Sequence, residues 1–453
     1  MASSNCYTNY WMISSRNSMR ELNRMTDQSD AYHKISITPA AEPKGCPFHE
    51  TFTPFDPNYL QNPYEQLERL SADTPIFYAR RLGYLVVTGM ENVTEILKNH
   101  DIFSSGNVQD PVFPICEAAQ AILATDDYNP QAVMSNCQQP DHTRIRTFTR
   151  EGFSSRRMKV LEPYIRLTTE KLIEQMIEKG KPADIVSCLA HPMPGQVIFR
   201  FIGFPEEDDA KLIHWTSNRL IFTWGKPSDK QQVEIASNML NYWRYCCEFV
   251  TRRLTDPADD LTSELLSAHK ENPEQLSYRE IQSIIYGLSF AGHEIVSNFI
   301  SLALMNLLPD RQHWQNLIQS PTSIPKTLEE VLRYDGPQTS WRRVATQDTT
   351  FQDIRIPKGT RLFLSLGAAN HDGRLFDQPS ELNPERENAN RHISFGHGIH
   401  FCLGARLARL EGQIALEILT DRLPSLSLIK NQQLTFSPNM TFRGPRKLMV
   451  EWN

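Results

Sequence analysis

The chain has 453 residues, 40% hydrophobic and 22% charged, an ordinary balance for a globular protein and enough length to bury a large core. Its 47 basic and 53 acidic side chains leave a net charge of −6, too mild to argue for a nucleic-acid or anionic-membrane partner. Eight cysteines lie scattered without a CxxC pair, which argues against a disulfide framework and reads as reduced thiols in the cytoplasm.

Residues 1–45 are polar, rich in Ser and Asn, and lack the apolar run of a signal peptide, so they read as a flexible arm. Residues 46–453 read as a single domain. Between Asn62 and Pro111, β-rich runs such as "PIFYARRLGYLVVTG" mix with helical ones such as "MENVTEILKNH". From Asp141 to about Leu308 apolar residues recur at three- and four-residue intervals, which predicts helices almost throughout. One of them, "MKVLEPYIRLTTEKLIEQMIEKG", is stopped by Gly180. Ser277, with Glu280 three residues on, supplies a capping box. The helix it opens is predicted to run unbroken to Pro309, roughly 30 residues and ~45 Å.

The apolar part of that helix, 284–308, is long enough to span a bilayer at ~20 residues. His293 and Glu294 at its centre would be costly in lipid, so it is predicted to thread a protein core instead of anchoring in a membrane. "PKTLEEVLRYDGP" predicts a helix ended by Gly336-Pro337, followed by strands within 341–366 and an irregular stretch over 370–400. A last helix carries Leu403, Leu407, Leu410, Ile414 and Ile418 on one face, and the tail alternates like a hairpin. The fold class is therefore mainly α with small β-sheets.

The stretch "ISFGHGIHFCLGARL", 393–407, sets Cys402 at the mouth of that last helix among Gly396, Gly398 and Gly404. A helix starting near Gly404 would aim unpaired N–H groups at the sulfur and favour its thiolate. Four uses are open for such a thiol. It can be an inert core cysteine, a zinc ligand beside His392, His397 and His400, a nucleophile, or the axial ligand of a haem iron. Zinc wants ligands from separated pairs and has no need of the glycines. A nucleophile needs a base oriented by a third group, which no residue in the sequence singles out. A haem thiolate pushes electron density towards O–O cleavage.

"FGHGIHFCLG" resembles the haem-binding loop of the cytochromes P-450, F-G-x-G-x-H-x-C-x-G, at every specified position. Other motifs resemble that family in the same order: His142 and Arg146 in "PDHTRIR", "AGHE" at 291–294, Glu330 and Arg333 in "EEVLR", and Arg386 in "NPERE". The resemblance covers about residues 50 to 453. It implies the cytochrome P-450 fold, with a long central helix over haem b, and Cys402 as the proximal iron ligand. It further implies that His142, Arg146, Arg343 and His400 pair with the haem propionates, that Phe395 shields the sulfur, and that Gly404 belongs to the cysteine loop. Glu330, Arg333 and Arg386 correspond to a structural ion network.

On the distal side the resemblance assigns Ala291, Gly292 and Glu294 to the oxygen-binding helix. There the family usually has a threonine next, and this chain has Ile295. An isoleucine has no proton to relay, so Ile295 raises an atypical outcome as an alternative. By resemblance the substrate pocket draws on Phe222, Ser289, Gln338, Thr339, Trp341, Met440 and Thr441.

The resemblance implies a cytoplasmic, bacterial-type monooxygenase that inserts oxygen from O2 into a small or mid-sized organic substrate. "FSSGNVQDP" resembles the haem portion of enzymes fused to their own reductase, yet the sequence ends at Asn453 without a flavin or iron–sulfur segment. Electrons are therefore expected from a separate ferredoxin or flavodoxin with an NAD(P)H reductase, docking on a basic face of Arg144, Arg406 and Arg409. A monomer is expected. The alternatives are a reductive, coupling, dehydrating or peroxide-driven haem-thiolate enzyme and, from another class, a non-catalytic haem sensor or carrier.

Overall fold

The pleated runs near the start of the chain and after Pro337 meet in one mixed sheet. A computed structural model describes residues 42–50 and 52–453, all within one compact unit. The sheet comprises β1 (Phe48–His49), β2 (Ile76–Ala79), β3 (Tyr84–Val87), β4 (Phe103–Ser104), β5 (Ser340–Ala345) and β6 (Arg361–Ser365), in the order β1-β2-β3-β6-β5-β4. Every residue of β2 and β3 is buried, which explains why these strands read as continuous apolar runs. Strand β3 runs parallel to β6, and β6 pairs antiparallel with β5, setting Arg343 opposite Leu362.

Most of the arm predicted over residues 1–45 lies outside the described residues. Residues 42–45 differ from the expectation. Lys44 exchanges backbone hydrogen bonds with Arg355 at 3.0 and 2.9 Å, and Glu42 lies 3.3 Å from Arg80, so this end is tied down.

The helices that build the site are α1 (Asp141–Gly152), α2 (Ser155–Lys179), α3 (Pro192–Ile202), α4 (Asp209–Thr216), α5 (Arg219–Trp224), α6 (Asp229–Arg253), α7 (Tyr278–Gly292), α8 (Glu294–Leu307), α9 (Ile324–Tyr334) and α10 (Ala405–Arg422). Helix α2 ends at Gly180, whose φ of +88° suits only a residue without a side chain. The Ser277/Glu280 capping box forms at the head of α7.

The long helix does not run unbroken. It opens at His293 (φ −98°, ψ −81°) into α7 and α8. The cause is a polar ring drawn sideways into the core. His293 is fully buried, with Nδ1 2.9 Å from Thr216 Oγ1 and Nε2 2.9 Å from the His191 carbonyl. Gly292 completes the fit, because a Cβ there would lie 2.6 Å from Ile198 Cγ1 on α3. The stretch Tyr278–Leu307 is long and apolar enough to cross a membrane, but 67% of its apolar window is buried inside the protein. It packs with α2, α3, α6 and α10 around residues such as Ile165, Phe199, Ile285, Phe299, Leu304 and Ile414, each worth ~1.5–3 kcal/mol when buried.

One carboxyl sits inside this core. Glu411 on α10 is 1% exposed, and neither oxygen finds a hydrogen-bond partner among the described residues. Burial pushes its carboxyl well above the usual range. A carboxylic acid with a raised folded value binds more protons folded than unfolded, so stability falls as pH climbs from the unfolded value towards the folded one. Glu411→Gln removes this term. The variant is expected to match the wild type's pH dependence below roughly pH 4 and to gain on it above, by ~1.4 kcal/mol per pH unit crossed. Denaturant melts at pH 4.5 and pH 8 check this; parallel pH profiles for the two proteins would refute it.

Candidate active site

The cysteine loop is pinned before it reaches the sulfur. Asn370 Oδ1 accepts the Ile393 N–H at 2.8 Å, and Ser394 Oγ donates to the Leu332 carbonyl at 2.5 Å. Gly396 and Gly398 then take φ of +75° and +73°, and a Cβ on Gly398 would lie 2.9 Å from the Leu97 carbonyl oxygen. The Cys402 N–H donates to the Phe395 carbonyl at 2.8 Å. Gly404 caps α10, and its N–H points at the Cys402 sulfur.

Burial raises the Cys402 thiol above its ordinary value, while the Gly404 N–H, Arg146 and Arg409 act to lower it. The net rise argues against a free nucleophilic thiolate, since such a cysteine would be lowered. A coordinated metal, by contrast, deprotonates a thiol outright. A zinc site fails on its ligands: no group of three or more His, Cys, Asp or Glu suited to a metal ion occurs among the described residues.

Beside the loop lies a buried basic cluster. His142 on α1 is 1% exposed, and neither ring nitrogen has a protein partner. Its ring centre is 4.2 Å from that of His400, whose Nε2 lies 3.1 Å from Ser105 Oγ. Arg146, one helical turn after His142, donates to the Phe401 carbonyl at 2.5 Å. Arg343 on β5 is 1% exposed, with an unpartnered Nε. Its neighbour Arg342 points elsewhere, donating to the Asp110 and Val108 carbonyls at 2.8 and 2.6 Å. The strand's alternation thus assigns Arg343, not Arg342, to the cluster.

Burial, then the neighbouring cations, pushes His142 down to about 4 and His400 down to about 2. Burial alone lowers Arg343 to about 10. Among the described residues no carboxylate is seen to act on any of the three. The orphaned, buried His142 and Arg343, with Arg146 and His400 beside them, make a cradle for a dianion. A haem's two propionates next to a cysteine ligand fit that cradle.

Behind the loop, Glu330, Arg333 and Arg386 form the expected network. Arg333 Nε lies 2.7 Å from Glu330 Oε2 and Arg386 Nε 3.1 Å from Oε1, with all three residues buried. Phe395 is partly buried against the core, with the Arg409 guanidinium 4.5 Å from its ring centre.

On the distal side, Gly287 and Ala291 are the exposed residues of an otherwise buried stretch of α7, and Ile295 continues their stripe at the same spacing. Gly292 faces Ile198 instead, so helix packing accounts for its smallness. Glu294 turns to α5, where its oxygens accept the Asn218 and Leu220 N–H groups at 2.9 and 3.2 Å. Burial raises it to about 7 against those bonds and Arg219.

The expected pocket residues divide. Thr339 N–H donates to the Thr441 carbonyl at 2.8 Å, Ser340 Oγ to that of Met440 at 2.8 Å, and Gln338 bridges Phe442. These segments therefore form one wall, with Met440 and Thr441 fully buried inside it and the Trp341 ring stacked on Trp224. Two others stand apart. Ser289 is fully buried, accepting from Tyr242 Oη and donating to the Ile285 carbonyl, so it joins α6 to α7. Phe222 packs into a separate cluster with Ala119, Ile235 and Met239.

The expected basic face is also changed. Arg144 pairs with Asp141 and Glu280 at 2.8 and 2.6 Å, and Arg409 with Glu329 at 2.6 Å; Arg406 alone of the three has no carboxylate partner among the described residues. Sequence reasoning missed Arg219 and the bonding of His293. The first was legible as a cation inside the apolar run "RLIFTW".

A cysteine aimed at by a helix terminus, flanked by a buried cationic cradle and faced by a small-residue helix stripe, defines the haem-thiolate class. The family model described as Cytochrome P450 matches residues 318–423. The polyketide biosynthesis cytochrome P450 PksS of Bacillus subtilis is 32% identical over 410 residues, 88% of this chain and 98% of its own. The 6-deoxyerythronolide B hydroxylase of Saccharopolyspora erythraea is 30% identical over 389 residues, 85% of this chain and 94% of its own. The structure of cytochrome P450 CREJ in complex with (4-ethylphenyl) dihydrogen phosphate has a TM-score of 0.85 at 35% identity, covering 89% of this chain and 100% of that one. The chain belongs to the cytochrome P450 family. It is an oxidoreductase of the monooxygenase type, with haem as its cofactor.

Proposed function

We propose that this protein inserts one oxygen atom of O2 into a small or mid-sized organic substrate, drawing electrons from a separate ferredoxin or flavodoxin and its NAD(P)H reductase. The observation that carries the reading is the pairing of the Cys402 loop with the acid-free cradle of His142, Arg146, Arg343 and His400. When bound through Cys402, haem supplies thiolate-driven O–O cleavage. Gly404 N–H and Arg146 would support the sulfur's negative charge, and the cradle of His142, Arg146, Arg343 and His400 would hold the two propionates. Ala291 is a small, exposed residue on the distal stripe, and burial raises Glu294 to about 7, so that it can exchange a proton near neutral pH one residue from Ile295.

Turnover requiring both O2 and a surrogate ferredoxin–reductase couple, with label from isotopic O2 in the product, tests the reading. Turnover with peroxide alone, or without oxygen, would overturn it; a tight-binding ligand that is never converted would favour the sensor.

Ile295 favours a second reading, in which the outcome departs from plain hydroxylation. Its side chain packs towards the cluster of Leu220, Trp224 and Met440, and it has no hydroxyl to hold a proton. Ile295→Thr is expected to change the product, or the yield of product per NAD(P)H, by about tenfold, a fraction of the ~10²–10⁴ that one proton-transfer group contributes. Product and coupling identical to the wild type would remove this reading.

A further inference from the structure

Arg409 stands on the second turn of α10, downstream of Cys402 on the same helix entry. The sequence suggests a docking cation there, but its charge is already answered inside the protein. Nε and Nη2 fork onto Glu329 Oε1 and Oε2 of α9 at 2.6 and 2.9 Å. Such a two-bond pair fixes the plane of the guanidinium as well as its place. The central carbon lies 4.5 Å from the Phe395 ring centre, within cation–π range.

Glu329 is held in turn. His392 Nδ1 accepts the Ser394 N–H at 3.1 Å, which leaves the proton of a neutral ring on Nε2. That Nε2 faces Glu329 Oε2 at 3.3 Å. Burial raises the Glu329 carboxyl, but the Arg409 bonds and the nearby His392 outweigh it and bring the group down to about 2. The His392 ring centre lies 5.7 Å from that of Phe395. Phe395 is therefore flanked by an imidazole and a guanidinium that meet on one carboxylate. Its carbonyl accepts the Cys402 N–H at 2.8 Å, so whatever seats Phe395 also seats the sulfur loop. The Arg409 charge reaches the sulfur as well, acting to lower the thiol. A cation beside a metal's ligand favours the state that carries the extra electron.

From this geometry we infer that Arg409, held by Glu329, is a positioning residue for the sulfur ligand: it backs Phe395 and raises the reduction potential of the haem, instead of docking a partner. The inference rests on Cys402 as the iron ligand and adds to that reading the group that tunes it.

The test uses the holoenzyme in a spectroscopic redox titration with small mediators and no protein partner. Arg409→Met is expected to lower the midpoint potential, shifting the ferric-to-ferrous ratio by about threefold or more, ~28 mV for one electron. Arg409→Lys keeps the charge without the fork and should recover part of the shift. Arg409→Met/Glu329→Gln leaves no bare carboxylate and should fall in the same direction, so it carries the test if the single variant loads haem poorly. Arg406→Met removes an exposed cation from the same helix and should leave the potential unmoved.

An unmoved or raised potential in both Arg409→Met proteins would overturn the inference, as would an equal fall in Arg406→Met. A residue that served only to dock an electron donor would give the first of these results. A thiolate-type carbon-monoxide band in each variant shows that the ligand persists. Absence of that band in the wild type would sink the Cys402 assignment instead, so the two failures are distinguishable.

Discussion

Cys402→Ser is expected to lose the thiolate-type carbon-monoxide difference band completely and to bring monooxygenase turnover below detection. The substitution is nearly isosteric, so the loop, the Gly404 cap and α10 should persist. What disappears is an ionisable sulfur. In the folded protein burial resists its ionisation, and only the Gly404 N–H and the Arg146 and Arg409 charges act to lower it. A serine hydroxyl cannot ionise under the same help, because its acidity is far weaker. Cys402→His gives the complementary result: porphyrin retained in the cradle, with a histidine-type spectrum. Thiolate-type spectra in the serine variant would refute the ligand assignment outright.

Glu330→Gln should cost ~3–5 kcal/mol and leave purified protein poor in haem, the penalty for breaking one partner out of a buried ion network. Two guanidiniums depend on this one carboxylate. Arg333 spends its remaining donors on the carbonyls of Asn370, Pro379 and Glu381 at 3.0, 2.8 and 3.0 Å. Arg386 reaches the Asp377 and Gln378 carbonyls at 2.5 and 3.2 Å, and Asn383 N–H also bonds Glu330 at 2.9 Å. Asn370 in turn holds Ile393 and Ser394 through its side chain at 2.8 Å each, which carries the effect to the cysteine loop. Urea midpoints and haem content per chain measure it. A fully loaded variant with an altered product would show that the network shapes the substrate pocket instead.

The parts of this site that were legible in the sequence are those whose chemistry is confined to neighbouring residues. The cysteine loop needs its glycines within ten positions, and Glu330 must meet Arg333 one turn away on α9. The capping box at Ser277 and the stop at Gly180 are local for the same reason. What escaped depends on partners distant in sequence. The break at His293 follows from Thr216 and from the His191 carbonyl, so periodicity could not foresee it. Arg144 looked free until Glu280, on another helix, came within 2.6 Å. Ser289 has a pocket-like place in the chain but spends its hydroxyl on Tyr242 and Ile285.

Strand β5 ties two jobs to one backbone. Arg342 fastens the 108–110 loop to the sheet, while the next residue faces the cationic cradle. Sliding this strand by a single position would exchange the clasp and the anchor. Loading of the prosthetic group and attachment of the 108–110 loop are thus tied to a common register.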